Sequence, residues 1–460
     1  MSEEHSVPVK QAPTNRRWIM FSLASGASWF LYLHRYTWNV IRPKLEEEYG
    51  FSNLELDSLF TLFNVTYTIG QIPGGVICDM FGPHLFLVAI IVLWSLTMPL
   101  LGLGSGRSSF GAARLAFGAG QAGCYPSLAK VSREWFPRSG RTTIQGLIAS
   151  FFGRGGGAMS SIILGTVLIG WLELTWRQGL VVMSLAGLVF AALFYLFYRN
   201  KPEDDPKTNQ AEVDLIRAGE LDSSDEPPVL PFRRVARSRS MLVFILQQFM
   251  NAGADYVYVA VMGSYFLTAR GVDIGAAGIM ISLPLFGGAC GGVFGGIISD
   301  YLIRVTGSRR WVRTFVGFTG KTLATMFVFV AISQTEPIAT AWMLFLVKFF
   351  SDWTQPTVWG TCTDMGGRYS ATVFSVINTA GGIGGLVTPI VGALVLDHYR
   401  TLEIVDGVEK MVTNFSPLFT LVAAMYMISA VSWFFINCED SLERENPAVG
   451  QALPDEVTVP

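Results

Sequence analysis

Three arginines interrupt stretches that otherwise have the hydropathy of membrane spans: Arg35 in WFLYLHRYTWNVI, Arg114 in FGAARLAFGAGQAGCYP and Arg154 in LIASFFGRGGGAMSSIILG. A fixed positive charge at the centre of a membrane helix costs about 2.5–3.5 kcal/mol on insertion scales. Such a residue persists where it faces a watery cavity, a partner carboxylate or an anionic ligand. No acidic residue lies within a few positions of any of the three. The chemistry expected of them is therefore recognition of an anion. A guanidinium suits that task, because its planar fork of donors matches a carboxylate or phosphate. Tyr32 stands three positions before Arg35 and shares its helix face, so its hydroxyl can reach the same ligand. The competing use of Arg35 is to snorkel to the nearer membrane surface.

Arg114 and Gln121 are two helical turns apart and lie on one face. Gln121 carries an amide that cannot titrate. His34, beside Arg35, can titrate, although burial next to that charge favours the neutral imidazole. Arg154 is surrounded by Gly153 and Gly155 to Gly157, which weaken the helix and admit close backbone approach. Either it adds positive charge to a pocket, or the glycines serve packing and Arg154 is drawn to a headgroup. Asp255, Lys321, Lys348 and Asp352 also fall within apolar stretches. Lys348 and Asp352, spaced i, i+4, form an internal pair along one helix. Asp255, in NAGADYVYV, has no local partner; it is a candidate for binding a proton or Na⁺, or for meeting a first-half arginine across a cavity.

The elements that must position these residues are membrane helices. Of 460 residues, 51% are apolar and only 15% charged, and the mean hydropathy is +0.42. A span needs about 20 mostly apolar residues. Twelve candidates fall at 18–40, 56–78, 84–104, 110–132, 142–170, 177–198, 242–268, 275–303, 312–333, 338–361, 371–397 and 414–436. The polar N-terminus lacks the apolar core and cleavage site of a signal peptide. Five scattered cysteines show no repeated spacing, hence neither a disulfide framework nor a metal site. Loops on one side hold roughly threefold more Lys and Arg than those on the other, which places both termini in the cytoplasm of a cell (inner) membrane protein. Enzyme chemistry finds no footing: FGAGQAG and GGIGG lie inside apolar spans, where helix packing explains them, and there is no ATP-binding GxxxxGK[ST] motif.

The chain divides into a tail (1–17), a first bundle (18–198), a polar linker (199–240), a second bundle (241–437) and a polar tail (438–460) expected to be disordered. The linker is too polar for a folded domain of its own, apart from one short surface helix around Ala211–Gly219. The two halves echo each other. GGVICDMFGPH follows the second span and GGIISDYLIRVTGSRR the eighth, each with a glycine pair shortly before an aspartate, Asp79 or Asp300. At a helix end these aspartates can accept hydrogen bonds from a neighbouring helix terminus, and paired copies are the mark of an internal repeat.

With QIPGGVICDMFG, RLAFGAGQAGCYPSLAKVSREWFP, ISLPLFGGACGGVFGGIISDYLIR and WGTCTDMGGRYSATVFSVINTAGGIGGLVTPIVG, the chain resembles the major facilitator superfamily, and within it the anion:cation symporter family. The likeness runs from about Arg17 to Cys438. It implies an all-α integral membrane fold of twelve helices in two six-helix bundles with pseudo-two-fold symmetry. It also implies a transporter of a small organic anion, above all a sugar acid such as a hexuronate or galactonate. By that resemblance Arg35 and Tyr67 contact the substrate, with Tyr32 beside Arg35 on its helix face, and Gln355, Trp359 and Asn378 line the pocket; Arg154 stands near where relatives tend to carry a polar residue that contacts substrate, and would make the pocket more cationic. Arg114 then belongs to coupling and cavity shape, and Asp79, Gly82 and Asp300 to a latch on the cytoplasmic side. Proton-coupled relatives carry acids where His34 and Gln121 stand; their absence leaves H⁺ or Na⁺ as the coupling ion to be found, with Asp255 as the substitute. No other cofactor, metal or nucleic acid is implied; a monomer in the lipid bilayer is expected. The alternatives are a sugar-phosphate or glycerol-phosphate exchanger, for which several arginines are apt, and a non-transporting anion receptor on the same fold.

Overall fold

The computed structural model describes residues 12–218 and 229–442, apart from 256–257, 259–260, 263–264, 273 and 406–407. The second tail beyond residue 442, and the disorder expected there, lie outside the described residues. Twelve helical passages cross the fold. The first half contains span 1 (Arg16–Arg35, then Trp38–Tyr49), span 2 (Asn53–Phe81), span 3 (Pro83–Gly102), span 4 (Arg107–Gln121, then Cys124–Trp135), span 5 (Arg141–Trp171) and span 6 (Trp176–Phe197). The second contains span 7 (Arg239–Ala254, resuming at Tyr265–Ala269), span 8 (Ile274–Thr306), span 9 (Arg309–Ser333), span 10 (Pro337–Trp353, then Gln355–Gly366), span 11 (Ser370–His398) and span 12 (Ser416–Ser432, ending in Trp433–Phe435).

Apolar runs supply the helices and short polar signals set their ends. Ser52 begins span 2 with a capping box, donating its backbone N–H to Glu55 Oε2 at 2.9 Å while accepting from Glu55 N at 3.4 Å. Thr175 and Gln178 repeat the device at span 6, satisfying N–H groups that a helix start leaves open. Large apolar side chains such as Leu93, Leu196, Phe286 and Ile390 point outward, as lipid requires and water would not.

Five passages depart from a straight α-helix. Span 1 breaks at Tyr36–Thr37, span 4 at Ala122–Gly123 and span 10 at Thr354, while span 5 carries π-helical turns at Leu147–Gly153 and Ser161–Trp171. The fifth is span 7, which is π-helical at Tyr265–Ala269. Candidate residues sit at these irregularities: Arg35 and Gln121 just before a break, Gln355 just after one, Arg154 between the π turns. Such bulges re-aim side chains and cluster at functional sites.

The halves meet on the side where residues 199–218 and 229–240 lie, the linker side. Asp79, ending span 2, accepts from Thr372 N and Oγ1 at 2.7 and 2.6 Å, at the start of span 11. Asp300, ending span 8, accepts from Thr143 N and Oγ1 at 2.6 and 2.7 Å, at the start of span 5. Each aspartate thus caps a helix of the opposite half, where the helix dipole favours negative charge. Four positions before each aspartate a glycine faces the same partner. A Cβ at Gly75 would lie 2.5 Å from Ser375 Oγ and 2.6 Å from Ala371 O, and one at Gly296 would lie 2.9 Å from Thr142 O. Lys130 adds an ion pair to Asp79 at 2.8 Å, and Arg138 of the first half reaches Asp364 of the second at 3.5 Å. Gly82 does a different job: at φ +80° it makes the sharp turn into Pro83, seated against Asn200, a conformation open to glycine and strained in other residues.

The short linker helix expected around Ala211–Gly219 is present, and its capping role and a strand hairpin go beyond the sequence reading. The linker holds a short helix at Gln210–Arg217, and Glu212, fully buried, accepts the backbone N–H groups of Arg16 and Arg17 at 2.9 and 3.0 Å. The linker helix therefore caps the start of span 1. Nearby, the hydrogen bond from Arg217 holds the Glu203 carboxyl below its usual range. On the far side, Arg400–Val405 and Val408–Thr413 pair as antiparallel strands, Arg400 opposite Thr413. The all-helical expectation had no place for this hairpin, although the Asp406-Gly407 dipeptide between the strands is a turn signal in sequence.

If the glycine contacts close the linker side, Gly75→Val will hold the halves apart there. In protein stripped of its five native cysteines, a cysteine replacing Asn378 should then be labelled from the linker side several-fold faster than in the Gly75 parent. An unchanged rate would show that this contact does not seal the cleft.

Candidate functional site

Arg35 ends the first segment of span 1, and its guanidinium lies among three aromatic rings. The ring centroids of Tyr67, Tyr32 and Phe63 are 4.4, 5.1 and 5.2 Å from its Cζ, within range of cation–π attraction. Arg35 Nε donates to Gln121 Oε1 at 3.0 Å, and Gln121 Nε2 donates to Leu31 O at 3.0 Å. The buried Gln121 amide therefore ties span 4 to span 1 and holds the guanidinium by one edge. Arg35 Nη2 is buried and has no hydrogen-bond partner among the described residues, nor does a carboxylate pair with the group there. A buried donor left unmet costs about 1–3 kcal/mol, so this nitrogen is placed to receive an acceptor from outside the protein. Arg35, Tyr32 and Tyr67 come together as expected. Tyr67 and Phe63 come from span 2 and Gln121 from span 4, positions no spacing along span 1 could disclose.

Arg114 takes another role. It is 3% exposed, donates from Nε to Leu59 O at 3.2 Å, and lies 4.4 Å from the Trp38 ring and 4.8 Å from Phe63. Phe63 thus separates the two guanidiniums, and Arg114 pins spans 1, 2 and 4 together. His34, expected at the cavity beside Arg35, points elsewhere, because adjacent helical residues differ by about 100°. It packs on Phe30 (centroids 5.5 Å apart), and a Cβ at Gly187 of span 6 would lie 2.6 Å from its Cε1.

Arg154 crosses the boundary between the halves. It forms an ion pair with Asp352 of span 10, and Nη1 donates to Leu285 O at 3.3 Å. A Cβ at Gly288 would fall on both partners of that pair. Asp352 also pairs with Lys348 at 2.8 Å, the i, i+4 pair read from the sequence. Lys348 in turn pairs with Asp255 at 2.7 Å, and Asp255 accepts from Tyr426 Oη at 3.0 Å. Asp255, which looked partnerless, therefore meets a cation of its own half rather than an arginine of the first. Lys321 is held by Asn251, Ser351 O at 2.9 Å and Ser351 Oγ at 2.8 Å.

Trp359 is 1% exposed and meets Tyr125 of the first half edge to face, centroids 5.2 Å apart, with Phe374 at 4.7 Å. It is packed into the floor between the halves rather than presenting an open face. Tyr125, which the sequence reading did not single out, lies 6.0 Å from the Tyr32 ring and 3.4 Å from Ser28 Oγ. Gln355, one turn before Trp359 on the same helix, and Asn378, one turn after Phe374, are partly exposed.

Residues 24–389 match the Major Facilitator Superfamily model. The chain belongs to that superfamily. As a major facilitator it is a multi-pass membrane transport protein rather than an enzyme. It is 26% identical to a probable sulfoacetate transporter of Cupriavidus necator over 92% of this chain and 95% of the relative. It is 28% identical to a probable galactarate/D-glucarate transporter of Escherichia coli, over 83% and 87% of the two chains. A D-galactonate transporter of Escherichia coli is 23% identical over 94% and 98%. Among solved structures, the Escherichia coli fucose:proton symporter superposes with a TM-score of 0.65 at 14% identity, covering 92% of this chain and all of that one.

The Gln121 amide gives a direct test of the Arg35 geometry. A carboxylate at that position (Gln121→Glu) would pair with the guanidinium and compete with any bound anion. Calorimetry with a small carboxylate ligand should show at least about tenfold weaker binding at neutral pH, since hydrogen bonds to charged groups contribute about 1.5–3 kcal/mol. Affinity should recover as the pH falls and the new carboxyl takes up a proton. Unaltered affinity at neutral pH would remove Arg35 from the site.

Proposed function

We propose that this chain is a secondary active transporter of a small organic anion, most of all a sugar acid, working by alternating access. The observation that carries the reading is Arg35: a guanidinium held by aromatic rings and a neutral amide, with a buried donor unmet. A carboxylate on Nη2, flanked by Tyr32 and Tyr67, supplies the missing acceptor. Gln355 and Asn378 offer amides to hydroxyl groups, and the Trp359–Tyr125 contact closes the floor beneath. The paired aspartate caps support rocking of one half against the other, each releasing a helix terminus as the linker side opens. The relatives named for sulfoacetate, galactarate, D-glucarate and D-galactonate share the chemistry of a short chain with an acidic end.

Arg114 is engaged with a carbonyl and Arg154 with Asp352. One open arginine favours a carboxylate ligand over a phosphate, for which several open cations would be apt. The roughly threefold excess of Lys and Arg on the linker side supports cytoplasmic termini in a cell membrane.

Purified protein in liposomes should accumulate at least one of D-galactonate, D-glucarate and sulfoacetate, and Arg35→Ala should lower initial uptake at low substrate by about a hundredfold, as loss of a charge-assisted pair of 2–3 kcal/mol implies. Near-normal uptake by the variant would refute the role of Arg35. Tight binding without flux would favour a receptor.

A further inference from the structure

The network around Arg154 contains two cations and two carboxylates, matched one to one. Arg154 faces Asp352, Lys348 lies between Asp352 and Asp255, and Tyr426 supports Asp255. The partners differ in access: the Arg154 side chain is 27% exposed, and that of Asp352 only 5%. A solute entering between the halves therefore meets the guanidinium first, with the carboxylate behind it. Arg154 is also near the Arg35 site. One turn beyond it, a Cβ at Gly157 would lie 3.5 Å from the Tyr32 ring, the same ring that lies under Arg35. The backbone one turn past Arg154 thus packs on the ring that lies under Arg35; Arg35 has an open donor, and Arg154 is occupied by a carboxylate of the protein itself.

We propose that Arg154 is a second anion subsite held shut by Asp352, which gives way by taking up a proton when a substrate with a second acidic group binds. The inference rests on the functional reading above and names its substrate class: a short dianion with an acidic group at each end. One end displaces nothing and meets Arg35. The other takes the place of the Asp352 carboxylate on Arg154, and Asp352 accepts one proton from the water between the halves. Charge balances before and after, because Lys348 retains Asp255 and Arg154 exchanges one anion for another. Other charged or titratable groups face the same carboxylates: Lys321 of span 9, held by Asn251 and Ser351, also faces Asp255 and Asp352, and Tyr258 and Tyr426 face Asp255 from spans 7 and 12, so the proton is assigned to Asp352 by loss of the pH slope in Asp352→Asn. Span 8 contributes Gly288, whose missing side chain leaves room for the pair. A proton carrier on span 10 answers the absence of acids at His34 and Gln121.

The test is binding of D-glucarate (acidic at both ends) and D-galactonate (acidic at one end) to the purified full chain, measured between about pH 6 and about pH 8, where both ligands stay ionised. Uptake of one proton per ligand weakens apparent binding by up to about tenfold per pH unit as pH rises. The wild type should show that slope for D-glucarate and a flat profile for D-galactonate. Asp352→Asn should bind D-glucarate without pH dependence, Asp352→Glu should restore the slope, and Arg154→Gln should reduce D-glucarate affinity to that of D-galactonate. Should Asp352→Asn fold poorly, the Asp352→Glu and Arg154→Gln results decide alone. A flat wild-type profile for D-glucarate, or a slope surviving in Asp352→Asn, overturns the proposal while leaving the role of Arg35 standing. Failure of both ligands and sulfoacetate to bind the wild type overturns the functional reading, and this inference with it.

Discussion

A positive charge buried in a membrane fold must be given something to face, and the interior of this protein is organised by that requirement. Taking an ion out of water costs several kcal/mol even after the surroundings relax. The three arginines meet that cost differently. Arg114 is tied to a backbone carbonyl between two rings, Arg154 to a carboxylate of the other half, and Arg35 to rings and an amide that carry no charge. The first solution makes a rigid joint and the second a bond between moving bodies. The third leaves a buried donor of Arg35 without a partner among the described residues.

The halves are held by the same economy of polar groups. Asp79 and Asp300 do not merely end their helices; each satisfies the exposed N–H groups of a helix in the opposite half. The repeat places a glycine four residues earlier in both copies, so the backbones approach closely enough for those bonds to form. The cap bonds lie at one end of the helix pairs that join the halves, where they can be exchanged for bonds to water. That property suits a protein whose two halves separate and rejoin on one side.

Gln121 shows how a neutral residue alters the chemistry of its neighbour. An acid at that place would neutralise Arg35 and compete with a ligand; the amide orients the guanidinium and leaves its charge available. The carboxylates of the site lie instead on spans 7 and 10, matched to Lys348 and Arg154. Among the described residues, the guanidinium without a carboxylate partner thus lies in the first half, and the paired charges at the boundary.

Composition and periodicity were enough to place twelve helices, two halves and a repeated glycine–aspartate motif, because a bilayer admits few backbone solutions and each span must carry its own apolar run. The i, i+3 pair of Tyr32 and Arg35 and the i, i+4 pair of Lys348 and Asp352 were legible for the same reason: a helix fixes which near neighbours meet. The strand hairpin at 400–413 was a missed local signal. What tertiary structure alone decided was facing and distant partnership. His34 and Arg35 are adjacent in sequence yet turn to different neighbours, and Arg154 and Asp352 are 198 residues apart yet form an ion pair. Trp359 could have faced lipid, ligand or protein, and it closes on Tyr125. Residue type determines which chemistry is available; only the packing of one helix against another determines what that chemistry touches.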